Sequence, residues 1–268
     1  MLDTAIIGTG PAGLSAAINL KLHDKSVIWF GSAHYSDKVE KSEKIANYPG
    51  MGYITGAALN AHFADHARQL GLTVEDKMVT NIMPMGDYFM LLAENEVYEA
   101  KTVLLATGVV SARSFTGEAE LLGRGVSYCA TCDGMLYRNR PVAVLGYADS
   151  ARHEAEFLSG IGCAVTYFDR PKTCAISGEN QVQAVTCDGV TAEVDCVFIL
   201  RPAVAPTELF PGLAVENSFV TVDRRMATNL PGLFAAGDCT GGLLQVSKAV
   251  GEGLIAGQSA AAFAAAQK

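Results

Sequence analysis

Apolar residues Ala5 to Ile7, led by Thr4, give way to six glycine-rich positions and then to apolar residues at helical spacing from about Leu14 to Leu22. That order predicts a buried parallel strand, a tight turn and a helix. Ser26 to Phe30 predicts a second strand. Residues 31 to 47 are polar, with Lys38, Lys41 and Lys44 three apart along a predicted helix, either a solvated face or a docking patch for an acidic partner. Asn47-Tyr48-Pro49-Gly50 is a turn, Gly56 to Leu70 an amphipathic helix, and Val74 to Ile82 and Tyr88 to Ala93 alternate as strands. Lys101 to Gly108 reads as a buried strand ending in a glycine turn. A second series begins with a strand at Pro141 to Tyr147, a helix to about Ile161 and a strand at Cys163 to Phe168. Gln181 to Cys187 and Val190 to Leu200 flank Asp188-Gly189 as a hairpin. Leu233 to Asp238 is a buried strand with an acid at its tip, and Val246 to Ala265 is the last helix. Alternating strands and helices place the chain in the α/β class.

One length carries information. Between Asp169 and Gln181 lie 11 residues, including Pro171 and Gly178. A crossover to a further parallel strand takes a dozen residues or more, usually with a helix. The sequence therefore predicts that this crossover is missing and that the second α/β series is reduced in size.

Composition narrows the function. The chain has 268 residues, half of them apolar and 27 of them glycine, which suits nucleotide binding by tight strand-to-helix turns. Its net charge of −8, with both signs interspersed, argues against nucleic acid as a partner. No basic leader precedes the first strand and no apolar run reaches the length of a membrane span, so a soluble, cytoplasmic protein without a membrane partner is expected. The cysteine count is seven, with one close pair. That suits a reducing compartment in which one disulfide cycles and five thiols do not.

Two motifs carry chemistry. Gly8-Thr9-Gly10-Pro11-Ala12-Gly13 is G-x-G-x-x-G between a strand and a helix, the context a dinucleotide site requires. Gly31 stands where a ribose-binding acid is often found. Cys129-Ala130-Thr131-Cys132-Asp133 joins two cysteines at disulfide-forming spacing to a carboxylate that can move a proton. The alternatives are half of a metal site or two buried thiols. No second Cys or His pair at ligand spacing completes a metal site, and His62 and His66 lack a third ligand, so no metal is expected. Of Cys163, Cys174, Cys187, Cys196 and Cys239, none has a C-x-x-C partner; Cys163 and Cys196 read as core thiols.

The order G-T-G-P-A-G, N-Y-P-G (47 to 50), A-T-G (106 to 108), C-A-T-C-D and P-G-L-F-A-A-G-D (231 to 238) resembles that of the low-molecular-weight thioredoxin reductases over nearly the whole chain. The resemblance implies two nested Rossmann-like domains, a discontinuous FAD domain at 1–111 and 203–268 and an inserted domain at 112–202. It implies FAD on Gly8, Gly10, Pro11, Ala12, Gly13, Asn47, Thr107, Gly108, Gly237 and Asp238, with Gln245 near the flavin ring. It also implies Cys132 as the flavin-facing sulfur, Cys129 as the sulfur that attacks thioredoxin, Asp133 as acid/base, and a homodimer.

The inserted part departs from NADPH-using members. Ala148 replaces a glycine that lets backbone approach pyrophosphate. Asp169-Arg170-Pro171-Lys172 replaces the histidine and arginines that grip the 2′-phosphate, and Leu244 replaces an arginine before Gln245. In these losses the sequence is most similar to the ferredoxin-dependent flavin thioredoxin reductases, which implies ferredoxin or a similar one-electron carrier as donor. An NAD(P)H-dependent disulfide reductase is the alternative, favoured by Asp169 at 23 positions after Gly146, where an acid can bind the ribose of NAD. A flavoprotein sensor without turnover is the third reading, and the complete C-A-T-C-D counts against it.

Overall fold

The structure, a computed structural model, describes residues 1–109, 115–128, 130–148, 151–201 and 206–267, with backbone alone at Asp37 and Cys132. In chain order the elements are β1 (Leu2–Ile7), α1 (Pro11–Leu22), β2 (Val27–Phe30), α2 (Asp37–Glu40), α3 (Gly56–Gln69), β3 (Val79–Pro84), β4 (Phe89–Ala93) and β5 (Glu96–Leu105). There follow α4 (Glu118–Leu121), β6 (Val126–Ser127), α5 (Ala130–Asp133), β7 (Pro141–Gly146), α6 (Ala151–Gly160), β8 (Ala164–Asp169), β9 (Cys174–Ser177), β10 (Ala184–Cys187), β11 (Val190–Glu193) and β12 (Cys196–Leu200). The chain closes with α7 (Pro206–Leu209), β13 (Val215–Glu216), β14 (Phe219–Val220), β15 (Leu233–Ala235) and α8 (Val246–Ala266). Two compact units result, one of Met1–Val110 with Ala205–Lys268 and one of Ser111–Val204.

The first unit is built on the long strand β5. Along one edge β5 pairs parallel with β1, which pairs parallel with β2. Its other edge is shared, the first half by β4 antiparallel and the second half by β15 parallel. Residues 102–105 of β5 are fully buried, as a strand covered on both faces must be. The helix α1 starts at Pro11, where a missing N–H costs nothing. It packs on α8 through small residues: a Cβ on Gly253 would stand 2.2 Å from the Ala12 carbonyl oxygen, and one on Gly257 would stand 3.0 Å from that of Ala16. The Ser15 hydroxyl donates to the Val250 carbonyl at 2.7 Å and fixes that contact. The expected helix through the lysine-rich segment is confined to the four residues of α2. Long-range bonds shape the rest: Thr9 Oγ1 donates to the Tyr35 carbonyl, and Asn60 Nδ2 to those of His34 and Ser36.

The second unit contains a parallel sheet in the order β6-β12-β7-β8 and an antiparallel sheet in the order β11-β10-β9. One strand–helix–strand unit, β7–α6–β8, is complete. Between β8 and β12 the chain makes three antiparallel strands in place of a crossover helix. The hairpin turns at Asp188 (φ +48°) and Gly189 (φ +84°), the pair of positive values that a two-residue turn of this hand demands. Two expectations are corrected. The strand expected from Val190 to Leu200 is two strands in different sheets, because Asp195 N–H donates to the Pro141 carbonyl and carries the chain from one to the other. The 170–180 connection contains a strand, β9, and Cys174 and Cys187 face each other across β9 and β10 as a disulfide with Cα atoms 4.3 Å apart. The two cysteines expected as thiols are thus a cross-strand pair.

Candidate functional site

In the first unit the turn after β1 separates the glycines by purpose. Gly8 has φ +113°, and a Cβ there would lie 2.2 Å from the Ala106 carbonyl oxygen; at Gly13 it would lie 1.9 Å from that of Gly8. Both glycines are demanded by strand and helix packing. Gly10 is different: its φ is −67°, and a Cβ would meet nothing within 4 Å. It caps α1 with no side-chain hydrogen bond, at a helix start where the helix dipole favours an anion. Trp29 Nε1 donates to the Gly8 carbonyl at 2.9 Å and fixes the turn. Gly31 has φ +140° and leaves about a methyl's distance, 3.1 Å, to the Thr9 side chain, which explains why no acid stands there.

The other expected residues of this unit gather at the same strand ends. Thr107 and Gly108 (φ +71°) follow β5, and Thr107 Oγ1 is buried with no hydrogen-bond partner. Gly237 follows β15, where a Cβ would stand 2.8 Å from that of Ala12. Asp238 comes next, with Lys38 Nζ at 2.5 Å from its Oδ2. Lys38, read above as a solvated or docking residue, is therefore an ion-pair partner at the strand ends, and Lys44 lies over the Tyr53 ring at 3.9 Å. Asn47 is exposed, and its carbonyl accepts from Ser247 Oγ at 3.1 Å; Gln245 is exposed immediately before α8. Together these residues fit FAD. Gly10 and the first amides of α1 would take the pyrophosphate, Thr107 Oγ1 is buried without a hydrogen-bond partner among the described residues, and Asp238 would be an acceptor for ribityl hydroxyls.

Two residues missed in the sequence hold this arrangement. Glu252 Oε2 accepts from Gly237 N–H at 2.9 Å and from Thr240 Oγ1 at 2.9 Å. Lys248 Nζ donates to the carbonyls of Gly237 (2.8 Å) and Gly241 (2.6 Å) and pairs with Glu252 at 3.0 Å. The four-residue spacing of Lys248 and Glu252 on the predicted last helix was the available signal.

In the second unit Ala130–Asp133 of the C-A-T-C-D stretch form α5. Cys129 lies outside the described residues, as do Asp149 and Ser150, and Cys132 is described by backbone alone. Asp133 is partly buried and accepts from Ser127 Oγ at 2.7 Å. Its helix packs closely on α6, since a Cβ on Gly134 would stand 2.7 Å from Leu158 Cδ2. Burial, with Cys196 and Asp133 beside it, pushes the Tyr137 phenol up to about 12. On the other side of the motif Tyr128 Oη donates to Glu118 Oε1 at 3.0 Å. Glu118 is only 2% exposed and takes both Arg201 nitrogens, at 2.7 and 2.9 Å. Burying that carboxylate is tolerated because the fork neutralises it.

Gly146 to Ala148, the described part of the second glycine turn, are covered by residues of their own unit. Tyr167 Oη stands 2.1 Å from the position of a Cβ on Gly146. The amides of Tyr147 and Ala148 both donate to the Leu200 carbonyl at 2.8 Å, so neither points a free donor outward. Asp169 is paired with Arg152 at 3.1 Å, and that guanidinium lies 4.9 Å over the Tyr167 ring. Tyr147 Oη donates to the Pro171 carbonyl at 2.6 Å. The three remaining cysteines are buried thiols: Cys163 Sγ donates to the Tyr137 carbonyl and Cys239 Sγ to that of Ala236. Burial raises the thiols of Cys163, Cys196 and Cys239, the last to about 11. Among the described residues no helix is long and apolar enough to cross a membrane.

Comparison with known proteins places this geometry. The family model "Pyridine nucleotide-disulphide oxidoreductase" matches residues 2–176 and 170–253. A thioredoxin reductase of Listeria innocua is 32% identical over 96% of this chain and 92% of its own. Two crystal structures of a ferredoxin-flavin thioredoxin reductase from Clostridium acetobutylicum are similar. One is 37% identical with a TM-score of 0.91 over 99% of this chain and 98% of that one. The other is 40% identical with a TM-score of 0.90 over 97% of each. The chain belongs to the pyridine nucleotide-disulphide oxidoreductase family and, within it, to the thioredoxin reductases, which are FAD flavoproteins.

Proposed function

We propose that this chain reduces the disulfide of a thioredoxin or thioredoxin-like protein through a Cys129–Cys132 pair, with electrons from ferredoxin or a similar one-electron carrier rather than a pyridine nucleotide. The observation that carries the donor assignment is the covering of Gly146 to Ala148 at the start of the second turn. Tyr167 fills the space over Gly146, and the Tyr147 and Ala148 amides are spent on Leu200. A nicotinamide donor needs an open dinucleotide cradle of the kind seen at Gly10; a docked electron carrier does not. The Clostridium acetobutylicum neighbours, named ferredoxin-flavin thioredoxin reductases, support the same reading. We read the unit of Met1–Val110 with Ala205–Lys268 as the FAD-binding part, and the working protein as a cytoplasmic homodimer.

Bound FAD supplies the two electrons that open the Cys129–Cys132 disulfide. The chain's own residues do the rest. Cys129 thiolate attacks one sulfur of the substrate disulfide, forming a mixed disulfide and releasing a substrate thiolate, which takes up a proton. Cys132, deprotonated with Asp133 as base, then attacks Cys129 Sγ, releasing the second substrate thiolate and closing the ring again. Two protons end on the substrate dithiol and the electrons balance. In the test, the yellow holoprotein is mixed anaerobically with NADPH, NADH or reduced ferredoxin. Bleaching of the flavin band by reduced ferredoxin alone is expected; rapid bleaching by NADPH or NADH overturns the donor assignment. Cys129→Ser and Cys132→Ser should each abolish thioredoxin reduction while FAD stays bound, and turnover in either variant would refute the disulfide mechanism.

A further inference from the structure

Ser127 is a polar residue buried against an apolar strand. It is 6% exposed, in the two-residue strand β6, and its register partner on β12 is the fully buried Phe198. A hydroxyl in such a place needs a hydrogen-bond partner. It donates to Asp133 Oδ2 at 2.7 Å. Both ends of this bond are anchored. Strand β6 is locked to β12, and α5, which carries Asp133, sits against α6 with only a glycine, Gly134, between it and the Leu158 side chain.

The other groups facing Asp133 supply no competing charge. From the following turn comes the Tyr137 phenol, and from β12 the Cys196 thiol; burial leads both to keep their protons at neutral pH. Arg140 pairs with Asp195 at 3.8 Å, and no cation is paired with Asp133 among the described residues.

We propose that Ser127 is a positioning residue for thiol–disulfide exchange: its hydroxyl fixes one carboxylate oxygen of Asp133 and so sets the rotation of the group that takes and returns the proton. This rests on the reading of Cys129, Cys132 and Asp133 as the reacting group. A fixed orientation is what an acid/base group beside a cysteine pair needs.

The test uses pre-reduced holoenzyme mixed with oxidised thioredoxin in a single turnover, with the rate followed from pH 5 to 9. Asp133→Asn defines the part of the rate that belongs to the carboxylate. Ser127→Ala is expected to slow exchange about tenfold at neutral pH, on the order of one lost hydrogen bond. Ser127→Thr, which keeps the hydroxyl, is expected to restore the wild-type rate. In the Asp133→Asn background Ser127→Ala should have no further effect. Losses that multiply in the double variant, or a Ser127→Thr as slow as Ser127→Ala, would show a merely structural serine and overturn the inference. Full rate in Asp133→Asn would remove the underlying reading as well, whereas a slow Asp133→Asn beside an unaffected Ser127→Ala would remove the inference alone.

Discussion

Gly10 and Gly13 stand three positions apart, and the fold demands glycine at only one of them. A methyl at Gly13 would overlap the Gly8 carbonyl, so Gly13→Ala must push α1 off β1, at a cost on the order of 3 kcal/mol. A methyl at Gly10 meets open space, so Gly10→Ala should cost about 1 kcal/mol as a poorer N-cap and leave the fold intact. The methyl would nonetheless stand where the pyrophosphate approaches. Urea melts of the apoprotein together with FAD titration should therefore separate the two: Gly10→Ala folds and binds FAD at least tenfold more weakly (~1.4 kcal/mol), whereas Gly13→Ala loses stability first. Cys239 gives a second prediction. Burial lifts its thiol from 9.0 to about 11, so the folded state holds a proton that the unfolded state gives up first. Its contribution is fully present below about pH 9 and is lost as pH rises through about 11. Cys239→Ala should flatten the fall in denaturation midpoint between pH 8.5 and 10.5 relative to the parent; an identical slope would contradict the assignment.

Elements whose logic is local were readable in the chain. The strand–turn–helix around Gly8 to Gly13, the Asp188-Gly189 hairpin and the missing crossover each follow from turn chemistry or from a length. What tertiary contacts decide was not readable. The lysine-rich segment has helical spacing, yet bonds from Thr9 and Asn60 to the backbone at 34–36 leave only four helical residues. The Lys38–Asp238 pair spans 200 positions, and Ser127 carries no sequence signal beyond its nearness to Cys129. The Cys174–Cys187 bridge is visible only once the register of β9 on β10 is known, because no motif spaces cysteines by 13. That bridge closes a loop of the size for which chain entropy predicts about 3 kcal/mol. Cys174→Ser/Cys187→Ser should lower the unfolding free energy of the second unit by that order. Chemical denaturation in a Cys129→Ser/Cys132→Ser background, with and without dithiothreitol, checks it: there the reductant should mimic the loss of Cys174 and Cys187 and have no further effect on the variant that lacks them.

At the scale of the chain, two units with separate cores imply two equilibria. The first unit buries α1, α8 and β5 residues such as Leu14, Ala256 and Leu104; the second buries Val144, Leu158, Val197 and Phe198 in clusters of its own. Each unit can therefore melt as its own cooperative step, and a ligand shifts only the step of the unit that binds it. FAD at a hundred times its dissociation constant stabilises its unit by about 2.7 kcal/mol. The cradle belongs to the first unit and the disulfide to the second, so the two perturbations should act on different transitions. Calorimetry of the apoprotein should show two overlapping transitions, with added FAD raising one and dithiothreitol lowering the other. NADPH and NADP⁺ at millimolar concentration should raise neither, because after β7 the Tyr147 and Ala148 amides are bonded to Leu200 and Tyr167 stands over Gly146. A rise of the dithiothreitol-sensitive transition on adding NADPH would show an open second cradle and return the chain to the pyridine-nucleotide-driven reductases. The absence of such a rise, with FAD still raising the other step, would separate loss of one nucleotide site from a general failure to bind dinucleotides.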